Sequence, residues 1–269
     1  YATMCIGKWH LGLEWQDSSG HAIGSAAEHQ RIDYNKPVSK GPTSLGFDTF
    51  YGISASLDMP PFTYIDNNKV AALPTTVKKW VRSGPAAPDF DAVNVLPEIT
   101  QKAEQYIIDK ASGQQPFFLY FALTSPHTPI VPGNSFKGKS QVTDYGDFVL
   151  ETDWALGRVM RVLDSLKIAD NTIVVMTSDN GFAPYVLPQF NVEALGHYPS
   201  YVFRGYKSDA WEGGHHIPFI MRWPGVIKGG AKSGHLVGQL DFFATCAGIL
   251  KAKLPDNAAV DSYSFLPVL

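Results

Sequence analysis

The chain has 269 residues, of which 45% are hydrophobic and 17% charged, and its formal net charge at pH 7 is -3. This length is sufficient to bury a large core in one α/β domain or in two smaller domains. Nucleic-acid-binding chains usually carry excess positive charge, so the slight negative charge argues against nucleic acid as a partner. The longest apolar runs, 116–123 and 217–221, have the length of strands and are too short to cross a bilayer.

The first third of the chain predicts one strand followed by long loops. Residues 3–6 form an apolar run that leads into Gly7-Lys8-Trp9-His10, and we expect a strand there. Residues 13–92 are rich in Gly, Pro, Ser, Asn and Asp and have weak periodicity. That composition indicates loops with short extended elements at 64–66 and 69–71, around a turn at Asn67-Asn68.

The remainder of the chain alternates helical and strand patterns. Apolar residues at helical spacing predict helices over 99–111, 145–166 and 241–250. Continuous apolar runs predict strands buried on both faces over 117–123, 172–176 and 217–221. This alternation is typical of the α/β class, with a mostly parallel sheet and helices on both faces.

Three polar clusters follow predicted strands, at Lys8/His10, at His127 and at Asp179/Asn180. Ligands of open α/β sheets bind beyond the carboxyl ends of the strands, so we expect these residues to converge on one pocket. Each cluster alone also has an ordinary interpretation. Asp-Asn-Gly is a common turn, His127 between two prolines is compatible with a loop histidine, and Lys8 with a solvated lysine.

Taken together, the polar residues suit the binding of a doubly charged tetrahedral oxyanion beside a hard metal ion. They comprise two lysines, two imidazoles and two oxygen ligands, namely Lys8, Lys207, His10, His127, Asp179 and Asn180. His215 and His216 follow Gly213-Gly214, but adjacent histidines seldom point the same way and no Cys or third His lies at zinc spacing. We therefore do not predict a zinc site.

In their order along the chain, these motifs resemble the type I sulfatases of the alkaline phosphatase superfamily. Within that family the chain is most similar to the arylsulfatase and N-acetylgalactosamine-6-sulfatase group. The matching segments cover nearly the whole chain and are Ile6-Gly7-Lys8-Trp9-His10-Leu11-Gly12, Leu45-Gly46-Phe47-Asp48 with Phe50-Tyr51-Gly52, Pro126-His127-Thr128-Pro129, Thr177-Ser178-Asp179-Asn180-Gly181, and Arg204-Gly205-Tyr206-Lys207 through Trp211-Glu212-Gly213-Gly214 to Trp223-Pro224-Gly225. The resemblance implies an alkaline-phosphatase-like fold and hydrolysis of a sulfate ester, either of a sulfated carbohydrate or of an aryl sulfate.

The resemblance also implies roles for four basic residues. Lys8 and Lys207 would contact the sulfate oxygens. His127 would face the sulfate near the leaving-group oxygen and, together with Lys207, is a candidate general acid. His10 would bond the hydroxyl of the nucleophile and help to expel sulfate. Preorganised cations of this kind stabilise the charge that develops as the S–O bond breaks.

The implied cofactors are calcium, rather than magnesium, and a formylglycine nucleophile. Asp179 and Asn180 would be two of the calcium ligands, and their oxygens are hard donors. The formylglycine of this family arises from the Cys or Ser of a Cys/Ser-x-Pro-x-Arg motif, which is absent from residues 1–269, as is an Asp-Asp pair for the other metal ligands. Neither Cys5 nor Cys246 has the required context.

These departures lead us to interpret residues 1–269 as the central part of a single sulfatase catalytic domain, truncated at both ends. The segment with the nucleophile and the smaller C-terminal subdomain would then lie outside the chain. We expect this chain alone to lack sulfatase turnover and to bind calcium weakly, since two ligands fall short of the roughly six to eight that calcium takes.

Two alternatives stay open at this point. One is a non-catalytic relative that binds sulfated glycans, and the other is a phosphodiesterase or phosphonate monoester hydrolase of the same superfamily. The resemblance implies a periplasmic, secreted or lysosomal location. It does not specify the sulfated substrate or the oligomeric state.

Overall fold

The computed structural model describes residues 1–24 and 26–269, without the side chains of residues 26 and 27. The chain forms two compact units, one of Tyr1–Ile168 with Ser178–Ile217 and the other of Ala169–Thr177 with Pro218–Leu269. The strands are β1 Ala2–Lys8, β2 Trp15–Gln16, β3 Ala22–Ile23, β4 Thr49–Ile53, β5 Ile65–Asp66, β6 Lys69–Val70, β7 Thr76–Lys79, β8 Ser83–Ala86, β9 Phe117–Ala122, β10 Val174–Thr177 and β11 Phe219–Arg222. The α-helices are α1 Ala92–Ala111, α2 Asp144–Ser165, α3 Glu212–His215 and α4 Asp241–Leu250, each of which, within the described residues, is too short or too polar to span a bilayer.

A five-stranded mixed sheet lies at the centre of the first unit, in the order β6-β5-β4-β1-β9. The three longer strands, β4, β1 and β9, run parallel to each other. The short β5 pairs antiparallel with β4, and β6 pairs antiparallel with β5. The predicted α/β class is confirmed. The parallel strands end at the same edge of the sheet, because Lys8 is in register with Ile53 and Gly7 with Ala122.

The central strand β4 is a correction to the sequence interpretation, which assigned its residues to loops. Phe50 and Tyr51 are buried in this strand, 1% and 8% exposed. The strand is short and includes Gly52, so its pattern in the sequence is weak. Gly52 nevertheless suits this strand, because its backbone lies directly against Gly7 of β1 and leaves no room for a side chain.

The two faces of this sheet are covered differently. Helix α1 packs on one face, where Ile99 and Ala103 are fully buried, and Asp91 caps its first turn by accepting a hydrogen bond from the Val93 amide. The other face is covered by the segment 13–38, which contributes Leu13, Trp15, Ile23, Ile32 and Val38 to a cluster with Cys5, Phe50 and Ile65. The prediction of helices on both faces therefore holds for one face of this sheet, and the second face is covered by a mostly non-helical segment.

Helix α2 packs against α1 and joins it through a partly buried ion pair. Arg158 Nε and Nη2 donate to the two carboxylate oxygens of Glu104 at 2.6 and 2.5 Å. Bidentate pairs of this kind fix orientation as well as distance. Both helices agree with their sequence predictions to within a few residues at the carboxyl end, and α1 begins earlier, at Ala92.

Strand β9 is more exposed than expected, since the sequence predicted a strand buried on both faces. Phe118 and Tyr120 are 39% and 48% exposed. The strand lies at one end of the five-stranded sheet, and both rings stack on Phe47, at centroid distances of 6.2 and 6.3 Å. Phe118 and Tyr120 lie on the same face of β9, and this face is only partly covered. The run of apolar residues alone does not reveal such exposure.

The second unit contains an antiparallel pair and one helix. The strands predicted over 172–176 and 217–221 are β10 and β11, which pair with each other antiparallel, and Ile220 is 62% exposed. Helix α4 matches its predicted bounds. Thr245 Oγ1 in this helix accepts a hydrogen bond from the Phe265 amide at 3.0 Å, and the Phe265 ring contacts Phe219 edge-on.

Gly7→Ala should destabilise the protein strongly, because β4, β1 and β9 approach each other too closely for a side chain at this position. A Cβ on Gly7 would lie 2.0 Å from Ala122 O, and the residue has φ +108°. We expect a loss of about 2–5 kcal/mol in the free energy of unfolding, from overpacking plus backbone strain. Urea denaturation measures this loss, with Gly24→Ala as the control, since a Cβ there meets nothing within 4 Å. Similar stability of the two variants would contradict the close packing.

Candidate active site

The carboxyl ends of β1, β4 and β9 carry most of the polar residues of the site. Lys8 is the last residue of β1, and His10 follows it. His127 lies in the loop after β9. The segment 54–58 follows β4 and is buried throughout, which gives its side chains fixed positions. The parallel pairing of the three strands thus places these loops side by side.

Lys8 lies among charged groups that are far apart in the sequence. Partial burial lowers the pKa of its amine, the nearby carboxylates of Asp179 and Asp58 raise it, and the cation of Lys207 lowers it. Coulombic interactions weaken with distance, so these groups are neighbours of Lys8. Lys8, Lys207 and Asp179 therefore lie in one region of the first unit.

His10 is held by a residue that the sequence analysis did not select. Its Nδ1 lies 3.3 Å from the hydroxyl oxygen of Ser56, which is 2% exposed. Desolvation by the surrounding loops is the main cause that lowers the pKa of the His10 imidazole, and its charged neighbours add to this effect. The neighbours that lower this pKa are Lys8, His127 and Lys207, whereas Asp58 raises it.

His127 has a defined tautomer. Its Nδ1 lies 2.7 Å from the Thr128 carbonyl oxygen, which can only accept, so Nδ1 carries the proton. Its Nε2 lies 3.3 Å from the Tyr185 hydroxyl. Desolvation lowers the pKa of the ring, the bond to Thr128 raises it, and Lys8 lowers it further. Nε2 is therefore the nitrogen that can give a proton to, or take one from, a bound molecule.

Backbone packing joins the Asp179-Asn180-Gly181 turn to the loop of Lys207. The Gly181 amide donates to Gly214 O, and the Lys207 amide donates to Phe182 O, both at 2.8 Å. A Cβ on Gly181 would lie 1.9 Å from Gly213 O, and one on Gly213 would lie 2.0 Å from Gly205 O. Only glycine permits this approach, which explains the glycines around Lys207 that the sequence alone leaves without a reason.

Asp179 and Asn180 fit a hard divalent cation in the kind of donor they offer, though not in number. Their carboxylate and amide oxygens are the donors that calcium prefers. Asn180 Nδ2 donates to Gly181 O at 2.9 Å, which leaves the amide oxygen for another partner. In the part of the chain that the structure describes, no three His, Cys, Asp or Glu side chains come together as a metal site. Asp179 and Asn180 would thus supply part of a calcium shell.

Three functional-site candidates were missed by the sequence analysis, namely Ser56, Asp58 and Tyr185. Asp58 Oδ1 lies 3.8 Å from His127 Nδ1, and Asp58 Oδ2 lies 3.7 Å from Arg82 Nε. Ser56 and Asp58 follow the strand β4, so assigning that strand would have pointed to them. Tyr185 lies in a short 3₁₀ helix, Pro184–Val186, and has no comparable signal.

The other residues weighed for chemistry have different partners. His215 Nε2 lies 3.1 Å from Ala210 O, whereas His216 Nδ1 lies 2.6 Å from a Glu212 carboxylate oxygen, so the two rings have different partners. Cys5 is fully buried, and burial raises the pKa of its thiol to about 12. A thiol with such a pKa is a poor nucleophile near neutral pH.

The arrangement suits the binding of an oxyanion. Lys8 and Lys207 supply positive charge, and two imidazoles with lowered pKa values lie beside them. Positive groups held in a partly desolvated pocket stabilise charge on a tetrahedral group without having to reorganise.

Comparison with known proteins agrees with this geometry. The family model described as Sulfatase matches residues 1–252. An N-acetylgalactosamine-6-O-sulfatase of Bacteroides thetaiotaomicron is 34% identical over 316 aligned residues, covering 100% of this chain and 58% of the relative. The human N-acetylgalactosamine-6-sulfatase is 30% identical, covering 100% of this chain and 46% of the relative.

The fold is also shared with a solved protein of Bacteroides thetaiotaomicron from work on the metabolism of multiple glycosaminoglycans. It superimposes with a TM-score of 0.83 at 32% identity, covering 99% of this chain and 61% of that chain. The chain thus spans about half the length of the curated relatives it matches. From the family model and these relatives, the chain belongs to the sulfatase family.

Proposed function

We propose that these residues, in the whole protein, take part in the hydrolysis of a sulfate ester of a sulfated carbohydrate. The observation that supports the proposal is that Lys8 interacts electrostatically with Lys207 and Asp179, and His127 with Lys8 and Lys207, in a chain of the sulfatase family. The carbohydrate follows from the names of the relatives, two of which are N-acetylgalactosamine-6-sulfatases. The position of the sulfate on the sugar, O6, is taken from the same names and is part of the proposal.

Lys8 and Lys207 are the proposed sulfate-binding residues. Their cations would contact the sulfate oxygens and stabilise the negative charge that builds up as the S–O bond breaks. Lys8 is suited to this role because it is partly buried at a strand end, where its charge is less screened than in water.

His127 is the proposed proton donor to the leaving-group oxygen, together with Lys207. Its Nδ1 is engaged by Thr128, so its Nε2 faces any bound ester. Without a ligand, the ring has a pKa below its ordinary value and is largely neutral at pH 7. The negative charge of a sulfate ester would raise this pKa, so that the proton arrives with the substrate. His10, held at Ser56, would bond the nucleophile hydroxyl and help to expel sulfate.

Calcium and a formylglycine complete the proposal. Asp179 and Asn180 would hold the calcium ion with ligands from elsewhere in the whole protein, and the ion would supply positive charge at the sulfate. The nucleophile is proposed to lie outside residues 1–269, so this chain alone would have no turnover. A periplasmic, secreted or lysosomal location remains part of the proposal.

The function is tested by assaying the whole protein, with calcium, on N-acetylgalactosamine 6-sulfate and on the matched 6-phosphate. We expect multiple turnovers on the sulfate and a kcat/KM on the phosphate that is lower by at least about 10², since phosphoryl and sulfuryl esters differ in charge. Residues 1–269 alone serve as the control and should show no turnover. A preference for the phosphate would favour a phosphoryl-transfer enzyme, and binding without turnover would favour a glycan-binding protein.

Lys207→Ala in the whole protein should lower kcat by about 10²–10³, as expected for losing one preorganised charge-stabilising group. Lys228→Ala is the matched control, because Lys228 is exposed in the second unit. Both variants are assayed on the same sulfate ester. Equal activity of the two variants would exclude the role assigned to Lys207.

Sulfate binding to the chain should strengthen as the pH falls. The pKa values of His10 and His127 are lowered in the free site and should rise beside a bound anion, so binding takes up protons. Because histidine titrates between about pH 5 and 8, the affinity should rise through that window as the pH is lowered. Calorimetry with inorganic sulfate measures both affinity and proton uptake. His127→Gln should reduce the proton uptake and His235→Gln, in an exposed position, should not; affinity that is independent of pH would refute the prediction.

A further inference from the structure

Asp58 is a buried carboxylate whose charge has no assigned use in the site. The residue is 7% exposed, and it ends a segment, 54–58, in which every residue is buried. Its Oδ1 is inaccessible to solvent and accepts no hydrogen bond from any residue within 1–24 and 26–269. A buried acceptor without a partner is costly, so such an atom in a folded protein calls for a physical reason.

Two positively charged or chargeable groups lie near this carboxylate. Arg82 Nε is 3.7 Å from Oδ2, but the Arg82 side chain is 57% exposed, so solvent screens that pair. His127 Nδ1 is 3.8 Å from Oδ1, and the His127 side chain is only 22% exposed. The buried oxygen of Asp58 therefore faces His127 rather than Arg82.

Nδ1 of His127 consequently lies between two acceptors. The nearer is Thr128 O at 2.7 Å, and the farther is Asp58 Oδ1 at 3.8 Å, just beyond hydrogen-bond range. Both favour a proton on Nδ1 and direct Nε2 away from them. Hydrogen bonds of catalytic groups are often long in the absence of substrate and shorten when it binds.

From this geometry we infer that Asp58 is the positioning residue of His127. It supports the Nδ1–H tautomer that the bond to Thr128 O sets, and it stabilises the imidazolium form from which Nε2 donates its proton to the leaving-group oxygen. This inference rests on the proposed function. In that step a bond forms between sulfur and the oxygen of the proposed nucleophile, and the S–O bond to the leaving group breaks. The leaving oxygen takes the electron pair of the broken bond, and the proton passes from Nε2 to that oxygen. Asp58 keeps its charge and transfers nothing.

Electrostatics around His127 agrees with this role. The charged and titratable groups that face the ring are Lys8, Lys207, His10, Tyr185 and Asp58. The two lysines lower the pKa of His127, and among these groups Asp58 is the one that raises it. Removing the carboxylate should therefore leave the imidazolium opposed by two cations, with the bond to Thr128 O as the remaining interaction that favours it.

The test uses the whole protein with Asp58→Asn, which keeps the shape and removes the charge. General acid catalysis contributes most when the leaving group is a poor one. We expect kcat on a sugar sulfate, which releases a weakly acidic alcohol, to fall by about 10–10². On 4-methylumbelliferyl sulfate, whose leaving group needs no proton, we expect a change of less than about threefold. The alkaline limb of the pH–rate profile on the sugar sulfate should move to lower pH.

Two further measurements separate this role from a structural one. In a His127→Gln background, Asp58→Asn should have little additional effect on the sugar sulfate, because the two residues act as a unit. The pKa of His127, followed by NMR of labelled histidine and assigned with His127→Gln, should fall in Asp58→Asn. Asp153→Asn, a change at an exposed carboxylate of α2, is the matched control and should leave both readouts unchanged.

Equal losses on the two sulfates, or an unchanged pKa of His127, would overturn the inference. Additive losses of the two substitutions would overturn it as well. If the wild-type protein hydrolyses neither sulfate, the proposed function fails, and the proton-donor role of His127 fails with it. In that case the NMR titration still reports whether Asp58 governs the charge of His127, so the two failures are distinguishable.

Discussion

Close backbone contact among the three parallel strands is the constraint on which the site depends. Gly7 lies against Ala122 of β9 on one side and Gly52 of β4 on the other, with no room for a side chain. This contact brings the three strand ends together. The loops that follow them therefore carry Lys8, His127 and the segment 54–58 to one place, although Lys8 and His127 are 119 residues apart in the sequence.

A second region of glycine packing completes the pocket. Gly181, Gly205, Gly213 and Gly214 allow backbone segments to touch where a Cβ would collide. As a result, the turn of Asp179 is tied by hydrogen bonds to the loop that carries Lys207. The glycines in these motifs thus allow the loop of Lys207 to pack directly against the turn of Asp179.

The positive charges of the site are arranged to bind an anion that is not part of the protein. The cation of Lys207 lowers the pKa of Lys8, and both cations lower the pKa of the two imidazoles. Asp58 and Asp179 offset this only in part. A protein tolerates such repulsion where binding of a ligand relieves it, and partial burial makes the relief larger because screening by water is weaker.

The sequence by itself determined the α/β class, the helices α2 and α4, and the polar residues that come together, because apolar periodicity and residue chemistry are local properties. It did not reveal β4, whose short pattern with a glycine becomes a strand only when β1 and β5 pair with it. Ser56, Asp58 and Tyr185 were missed for the same reason. A serine, an aspartate and a tyrosine have no local signature. Only the tertiary structure, which buries Ser56 and Asp58 beside His10 and His127 and places the half-exposed Tyr185 against His127, decided that they belong to the site.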